Sequence, residues 1–240
     1  MARYTELRMK HNREMKQASE DLELLFHAIV RNVSHELVTP TQQAKAALAL
    51  LREERGESEV LHWAMQAIQR LEQVIEHITS LMDPHTFHPE ATLLREMVHY
   101  ALLSLEPNWG EATLRERVKV ELPLNAPAVY ADKQGVKTVL RILVDNALKF
   151  SEGPVQIRAE SLGNAVAVSI IDGGIGLDVK RIPAIFAPFT QMDDSTTRPY
   201  GGIGVGLAIA QKILENHGSQ LQVESEKEKG SRFSFLLPVQ

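Results

Sequence analysis

Two apolar stripes in the first third of the chain constrain its fold more than any other feature. Between Leu22 and Leu51, apolar side chains recur every three or four residues, with Glu, Lys, Arg and Gln between them. This is the period of one face of an α-helix. After a Gly56 stop and a Ser58 cap, residues 61–82 repeat the pattern, which predicts a second helix that returns antiparallel to the first.

Two antiparallel helices cannot cover two such stripes by themselves, so the hairpin needs a further apolar surface. The simplest closure is a second copy of the same hairpin, which predicts a homodimeric four-helix bundle. The alternative is a monomer in which the hairpin packs on the C-terminal part of the chain.

Composition limits the classes of protein that the chain can belong to. Its 240 residues are 44% hydrophobic, which is ample for packed cores. It has no run of about 18 uncharged apolar residues, no signal-peptide core and no cysteine. We therefore expect a cytoplasmic protein, either free or as the soluble part of a membrane-tethered one. The net charge is −5 and neither part of the chain is basic, so nucleic acid is not an expected partner.

A segment with two prolines, residues 84–91, interrupts the helical period and predicts a linker. The helical hairpin then occupies residues 1–83, with a signalling helix over about residues 1–27. A second domain follows over residues 92–240. These boundaries predict a multidomain chain in which an all-α part precedes a part of different architecture.

The second domain alternates predicted helices and strands. Helices are expected over residues 93–105, 133–150 and 207–216. Strands are expected over residues 118–122, 129–131, 155–160, 165–171, 221–225 and 232–237. Helices interleaved with antiparallel strand pairs are typical of an α+β two-layer sandwich, in which helices cover one face of the sheet.

The stretch Asn32–Pro40 places His35 and Glu36 side by side in the first helical stripe. Imidazole is a nucleophile when it is uncharged near neutral pH, and Glu36 could hold or remove its proton. The same pair also fits an ordinary solvated helix surface. Pro40 lies inside the helical pattern and leaves the Glu36 carbonyl without its usual donor. We therefore expect a kink one turn after His35, or a helix that ends at Pro40 and restarts.

Two stretches of the second domain carry polar side chains with candidate chemistry. Asn146 and Lys149, one turn apart near a helix end, offer a neutral oxygen to a hard cation and a point charge to a phosphate. Asp172 follows an apolar strand and precedes two glycines, so it can accept from an exocyclic amine while the backbone approaches a flat base. Each stretch alone also fits a helix surface or a tight turn.

Two further stretches are candidates for a lid over a site and for an anion-binding loop. Residues 185–200 contain two aromatics around a proline and then a polar run, long enough for a mobile cover over a site. Gly201–Gly206 opens a helix, where backbone N–H groups can converge on an anion. This glycine run is neither a Rossmann fingerprint nor a P-loop.

In this order, the stretches resemble the catalytic core of the sensor histidine kinases of two-component systems. Asn32–Pro40 resembles the H box, Asp145–Ser151 the N box, Asp172–Gly176 the G1 box, Phe186–Phe189 the F box and Gly202–Gly206 the G2 box. The resemblance covers nearly the whole chain. It implies a HisKA-type dimerisation and histidine-phosphotransfer hairpin followed by a Bergerat-type (GHKL) ATP-binding domain.

The resemblance implies a role for each matching residue. His35 would be the phosphoacceptor, Glu36 would take its proton, and Thr39 would orient water in dephosphorylation of a partner. ATP and Mg2+ are the implied cofactors; Asn146 would bind the metal, and Lys149 would bind a phosphate of ATP. Asp172 would accept a hydrogen bond from the adenine amino group. Further nucleotide contacts are implied for Phe150, Gly174, Gly176, Phe189, Arg198, Gly202, Gly204, Val205, Gly206 and Leu207.

The implied function is ATP-dependent autophosphorylation of a homodimer on His35, followed by phosphoryl transfer to an aspartate in the receiver domain of a response regulator. Phosphatase activity toward that regulator is a further expectation. Ile142 stands where many family members have a second Asn, and Ile203 where a hydroxyl residue is usual. These departures favour an alternative, a degenerate kinase that acts as a nucleotide-binding scaffold. An ATPase of the gyrase and Hsp90 type is the remaining alternative.

Overall fold

The computed structural model of the protein describes residues 37–82, 87–188, 190 and 204–239. The chain divides into two compact units, Met1–Asp83 and Pro84–Gln240. Within the described ranges, no helix has both the length and the apolar character needed to cross a membrane.

The described part of the first unit, residues 37–82, consists of two helices joined by a short turn. Residues 37–55 form α1, and Glu59–Met82 form α2. Gly56 adopts a positive φ of 77°, and its N–H donates at 2.9 Å to a carbonyl one turn back, which ends α1. The Ser58 hydroxyl accepts a first-turn N–H of α2 at 3.2 Å. The helix stop and the helix cap predicted from the sequence are both confirmed.

The helix α1 continues through Pro40 without a break, so the alternative in which the helix ends there and restarts is wrong. Thr41 is buried, and its hydroxyl donates to the Leu37 carbonyl one turn back at 2.7 Å. Such a back-bond favours a slight bend in the helix. Lys45 on α1 forms an ion pair with Glu72 on α2 at 2.8 Å, which links the two helices of the hairpin.

The second unit contains a five-stranded mixed sheet and a two-stranded sheet. The larger sheet is formed by β2 (Val118–Glu121), β4 (Val155–Leu162), β5 (Ala165–Asp172), β7 (Gly230–Pro238) and β6 (Gln222–Glu226), in that spatial order. Only its β2–β4 pair is parallel; the other pairs are antiparallel. The β4–β5 pair is the hairpin that the sequence predicts.

The two-stranded sheet pairs β1 (Pro89–Thr92) with β3 (Val129–Asp132) in antiparallel register. Residues 89–91 were predicted to be linker, and the structure corrects this, because they form most of β1. The strand has only four residues, begins with proline and lacks an alternating apolar pattern, so nothing in its sequence distinguishes it from a loop. Its pairing with β3 defines it as a strand.

The helices of the second unit are α3 (Leu94–Leu103), the short α4 (Glu106–Trp109) and α5 (Glu111–Arg117), α6 (Lys133–Phe150) and α7 (Gly206–Asn216), with a 3-10 helix over Val179–Phe186. The prediction of a helix over residues 93–105 is confirmed except at its ends. The sequence did not predict α4 and α5. Pro107 lies in the first turn of α4, and Gly110 separates the two helices with a positive φ of 76°.

The core lies between the helices and one face of the larger sheet. The helix α6 contacts α3, α7 and β5. The side chains that fill this space are fully buried, among them Val139, Leu140, Leu143, Ile157, Val168, Ile170 and Phe235. The opposite face carries polar side chains such as Arg158 and Arg232. The prediction of an α+β sandwich with one covered face is therefore confirmed.

Candidate functional site

The last turns of α6 carry the first group of predicted site residues. The Asp132 carboxylate fixes the start of this helix by accepting a first-turn N–H at 2.6 Å. Ile142, Asn146 and Lys149 follow at spacings of four and three, which places them on one side of the helix. Asn146 and Lys149 are half-buried, whereas Phe150, the last residue of α6, is exposed.

Lys149 belongs to a network that the motif did not predict. Its ammonium lies 2.5 Å from one oxygen of Asp145, and the other oxygen of this carboxylate accepts the indole N–H of Trp109 at 2.9 Å. The Asp145–Lys149 pair was detectable from the sequence, because acidic and basic residues four apart on a helix commonly pair. The contribution of Trp109 was not, since it lies 36 residues away in the chain.

Asp172 ends β5 as a buried carboxylate. One of its oxygens accepts the Gly174 N–H at 2.9 Å, and the carboxylate also accepts the Ser231 N–H from β7. Burial raises the pKa of Asp172, and the two backbone donors offset this shift only in part. An ionised carboxylate in this setting gains from one more N–H donor, which a bound ligand can supply.

The glycines after Asp172 are required by the chain itself. A Cβ on Gly174 would lie 2.1 Å from the Phe150 carbonyl oxygen, and a Cβ on Gly176, whose φ is 60°, would lie 2.0 Å from the Glu226 carbonyl oxygen. From the sequence, these glycines are expected either to let the backbone approach a flat ligand base or to form a tight turn. The structure shows close approach of the protein's own backbone, as a tight turn requires.

The glycine run before α7 is described from Gly204 onward. Gly204 has a φ of 71°, and a Cβ there would lie 2.5 Å from the Thr190 carbonyl oxygen. Val205 is buried, and Gly206 and Leu207 form the first turn of α7, an eleven-residue helix. The first backbone N–H groups of a helix have no partner within the helix and lie at the positive end of its dipole, and both features favour an anion at the start of α7.

Three of the motifs meet at α6. The Phe150 carbonyl at its end accepts the Ile175 N–H from the Asp172 turn at 3.1 Å. Closer to its middle, Ile142 faces the start of α7, because a Cβ on Gly206 would lie 3.2 Å from its Cγ2 atom. The N, G1 and G2 stretches are thus joined through one helix, although they are far apart in the sequence.

The remaining predicted residues divide between the other unit and the undescribed part of the chain. Thr39 is exposed in the first turns of the described α1. His35, Glu36, Phe189, Arg198 and Gly202 lie outside the described residues.

The donor set around α6 is sparse. Among the residues that the structure describes, no three His, Asp or Glu side chains form a group that could hold a metal. Ile142 is 4% exposed and contributes no polar atom beside Asn146. This composition fits Mg2+, which is commonly bound through one or two protein oxygens together with phosphate oxygens and water. It does not fit an ion that needs a cage of protein ligands.

Comparisons with known protein families and sequences agree with this architecture. The model of the histidine kinase-, DNA gyrase B- and HSP90-like ATPases matches residues 131–240. The chain is 30% identical over 219 residues to the adaptive-response sensory kinase SasA of Prochlorococcus marinus (strain MIT 9303), covering 88% of this chain and 58% of that protein. It is 27% identical over 232 residues to the sensor histidine kinase YkoH of Bacillus subtilis (strain 168), covering 88% and 47%. The chain thus spans about half the length of these curated relatives.

Solved structures extend the comparison. Full-length ShkA, crystallised in complex with AMPPNP, superposes with a TM-score of 0.72 at 20% identity over 89% of this chain and 46% of ShkA, which shows a shared fold. The nucleotide-free catalytic domain of the histidine kinase ThkA has a TM-score of 0.51 at 26% identity, covering 64% of this chain and 95% of that domain.

Proposed function

The chain belongs to the sensor histidine kinase family, and on this premise we propose that it is an ATP-dependent protein histidine kinase. Its homodimer phosphorylates His35 and then passes the phosphoryl group to an aspartate in the receiver domain of a response regulator. The observation that supports the proposal is the junction of three motifs at α6, where the helix that carries Lys149 contacts both the buried Asp172 turn and the start of α7.

Asp172 selects the base of the nucleotide. Its carboxylate is buried, and its hydrogen-bond donors among the described residues are the backbone N–H groups of Gly174 and Ser231. The exocyclic amine of adenine supplies a donor to this acceptor. A base with a carbonyl oxygen at the same position presents a lone pair instead and is disfavoured, because it repels the carboxylate and leaves it without a donor.

The phosphates bind on the side of α6 that faces α7. Lys149 supplies a positive charge, and the backbone N–H groups at Gly204 and Gly206, with the dipole of α7, supply further anion stabilisation. Mg2+ would be held by Asn146 together with phosphate oxygens, where it would neutralise charge on the phosphates. Ile142 adds no ligand, so the metal depends mainly on the nucleotide for its coordination.

Phosphoryl transfer then requires positioning more than covalent catalysis. One imidazole nitrogen of His35 attacks the γ-phosphorus in line, the bond to the bridging oxygen breaks, and ADP leaves with that electron pair. Glu36 takes the proton from the other imidazole nitrogen, so the phosphorylated ring does not keep an extra charge. In the second step, a carboxylate oxygen of the regulator attacks the same phosphorus, the phosphorus–nitrogen bond breaks, and the imidazole of His35 recovers its proton from Glu36.

The first unit supports the homodimer through its uncovered apolar side chains. Large apolar residues of the hairpin remain exposed in the single chain, among them Leu37, Leu51 and Leu71. Apolar surface left exposed in this way on both helices supports an interface rather than a solvated face. A second hairpin covers it in a four-helix bundle.

Incubation with γ-labelled ATP and Mg2+ tests the kinase activity. We expect label that is labile in acid and stable in base, as phosphohistidine is, and we expect its loss in His35→Gln. The matched control is His62→Gln, a histidine on α2, which should label like the wild type. Label that persists in His35→Gln would contradict the assignment, and sustained ATP turnover in that variant would favour an ATPase of the gyrase and Hsp90 type.

A second activity, dephosphorylation of the regulator, is supported by Thr39. This hydroxyl is exposed on α1 and lies four residues after His35, so it can orient a water beside the phosphotransfer site. In Thr39→Ala we expect autophosphorylation to continue while accelerated decay of the phosphorylated regulator is lost. Thr138→Ala, a change at a threonine on α6 of the other unit, serves as the control. Equal decay rates with and without the wild-type protein would contradict this activity.

A further inference from the structure

A network of three side chains joins the short α4 helix to Lys149. The Lys149 ammonium lies 2.5 Å from Asp145 Oδ2, and Trp109 Nε1 donates to Asp145 Oδ1 at 2.9 Å. The side chains of Lys149 and Asp145 are only 22% and 19% exposed. Solvent and salt therefore weaken this pair less than they weaken an ion pair on the surface.

Arg117 contacts both Trp109 and the end of α6. Its guanidinium carbon lies 6.0 Å from the centroid of the Trp109 ring, within the range of a cation–π contact. The same guanidinium donates to the Ser151 carbonyl at 2.6 Å, directly after the last residue of α6. The indole therefore contacts a group that is itself bound to the helix end carrying the site.

We propose that Trp109 is a positioning residue for ATP binding, which acts through Asp145 to hold the Lys149 ammonium on the side of α6 that also carries Asn146. The inference rests on the proposed function, because it takes Lys149 as a phosphate ligand. It adds a residue outside the five motifs, from a segment that no motif includes.

The physical basis is the conformational freedom of lysine. Four rotatable bonds separate the Lys149 ammonium from the backbone, so an unrestrained side chain loses much entropy when it meets a phosphate. Asp145 has one oxygen bound to the indole and the other to the ammonium, which favours one arrangement of both side chains. Part of the entropy is therefore lost before the nucleotide arrives, and binding becomes tighter.

Trp109→Phe in the whole chain tests this role, since it keeps an aromatic ring against Arg117 and removes the N–H donor. Immobilising one flexible side chain changes affinity by about two- to tenfold. We therefore expect ATP to bind about two- to tenfold more weakly by isothermal titration. Adenosine, which has no phosphate, should keep its affinity. Trp63→Phe is the matched control, a change at the other tryptophan, which is 61% exposed on α2; both ligands should bind it as they bind the wild type.

A double variant separates positioning from general damage to the fold. If Trp109 acts through Lys149, then adding Trp109→Phe to Lys149→Met changes the affinity for ATP no further. An equal loss in both backgrounds would overturn the positioning role. Equal losses of ATP and adenosine affinity in the single variant would overturn it as well, because that result would indicate a disturbed domain.

Indole N–H resonances give a readout that does not depend on nucleotide. The chain has two tryptophans, so the proton–nitrogen correlation spectrum contains two such signals, and Trp109→Phe identifies one. We expect the Trp109 signal to shift in Lys149→Met, while the Trp63 signal stays in place. An unmoved Trp109 signal would overturn the network. A wild-type chain that binds no ATP would contradict the proposed function instead.

Discussion

At the scale of single residues, Asp172 has the environment that most restricts its ligand. Burial raises its pKa above the ordinary value of 3.8, and the N–H groups of Gly174 and Ser231 lower it by less. Because the folded-state pKa is the higher one, the contribution of Asp172 to the free energy of unfolding is fully present below the unfolded pKa. It is lost as pH rises through the folded pKa. Ligand binding is instead favoured at pH values above the folded-state pKa, since the ionised carboxylate is the stronger hydrogen-bond acceptor.

The first prediction concerns ATP affinity and its pH dependence. A hydrogen bond to a charged group contributes about 1.5–3 kcal/mol, so Asp172→Asn should weaken ATP binding by about tenfold or more. In the wild type, acidification should weaken binding at a higher pH than an ordinary aspartate would, because its raised pKa means that Asp172 is protonated earlier. Isothermal titration over a series of pH values measures both effects.

Asp172→Asn and the wild type should differ in how their affinity for ATP depends on pH. Asp172→Asn has no carboxyl to protonate, so its affinity for ATP should lack the acid-side decline of the wild type. Asp178→Asn is the control, because Asp178 is an exposed helix cap on the same loop and asparagine caps equally well. Identical pH profiles for the wild type and Asp172→Asn would contradict the adenine contact.

Ile142 leads to a second prediction, in which stability and metal binding change in opposite directions. Its side chain is buried against the start of α7, so Ile142→Asn should lower the free energy of unfolding by about 2–4 kcal/mol. The new amide lies one turn before Asn146 and adds an oxygen for Mg2+. Less Mg2+ should therefore be needed for half-maximal labelling. Ile142→Val is the control: it should lower the free energy of unfolding by about 0.5–1.5 kcal/mol and leave that Mg2+ concentration as it is in the wild type. If Ile142→Asn needs as much Mg2+ as the wild type does, that result would contradict a metal site at Asn146.

At the scale of elements, the sequence predicted the helices and strands whose ends and periodicity are set by neighbouring residues. The bounds of α6 were predicted to the residue, because Asp132 caps its start and apolar side chains recur with helical period up to Phe150. The strand β1 and the helices α4 and α5 were not predicted. Each has four to seven residues, too few for a period to appear. Their form depends on partners distant in the chain, such as β3 for β1.

Arg117 at the end of α5 leads to a prediction about α6. Its guanidinium donates to the Ser151 carbonyl at 2.6 Å and to the Gly153 carbonyl at 3.2 Å, both just beyond the end of α6. Arg117→Met keeps much of the side-chain volume and removes these charged donors, so it should lower the free energy of unfolding by about 1.5–3 kcal/mol. Urea denaturation followed by circular dichroism measures the change.

A neighbouring arginine provides the control for this variant. Arg115 pairs with Glu111 on the surface of α5, and its side chain is 82% exposed. Arg115→Met should change the free energy of unfolding by less than about 0.5 kcal/mol. If the two variants are equally stable, the guanidinium of Arg117 does not contribute to holding the end of α6.

At the scale of the whole molecule, the sequence was sufficient for the class of architecture but not for its long-range contacts. Apolar periodicity predicted the hairpin, and strand pairs between helices predicted the α+β unit. The parallel β2–β4 pair was not predictable, because β3 and α6 lie between these strands in the chain. The close neighbour of Gly174 was also not predictable, since it is the Phe150 carbonyl of another element.

The last prediction concerns assembly, which decides whether the hairpin functions at all. Leu51 continues the apolar stripe of α1 and is 43% exposed in the single chain, whereas its neighbour Leu50 is 61% exposed and lies about 100° away around the helix. In the proposed four-helix bundle, a charge at Leu51 would be buried unpaired, which is costly, whereas a charge at Leu50 would remain in water. Sedimentation velocity should therefore show monomers for Leu51→Glu and dimers for Leu50→Glu. A Leu51→Glu chain that remains dimeric would show that the stripe does not form the interface.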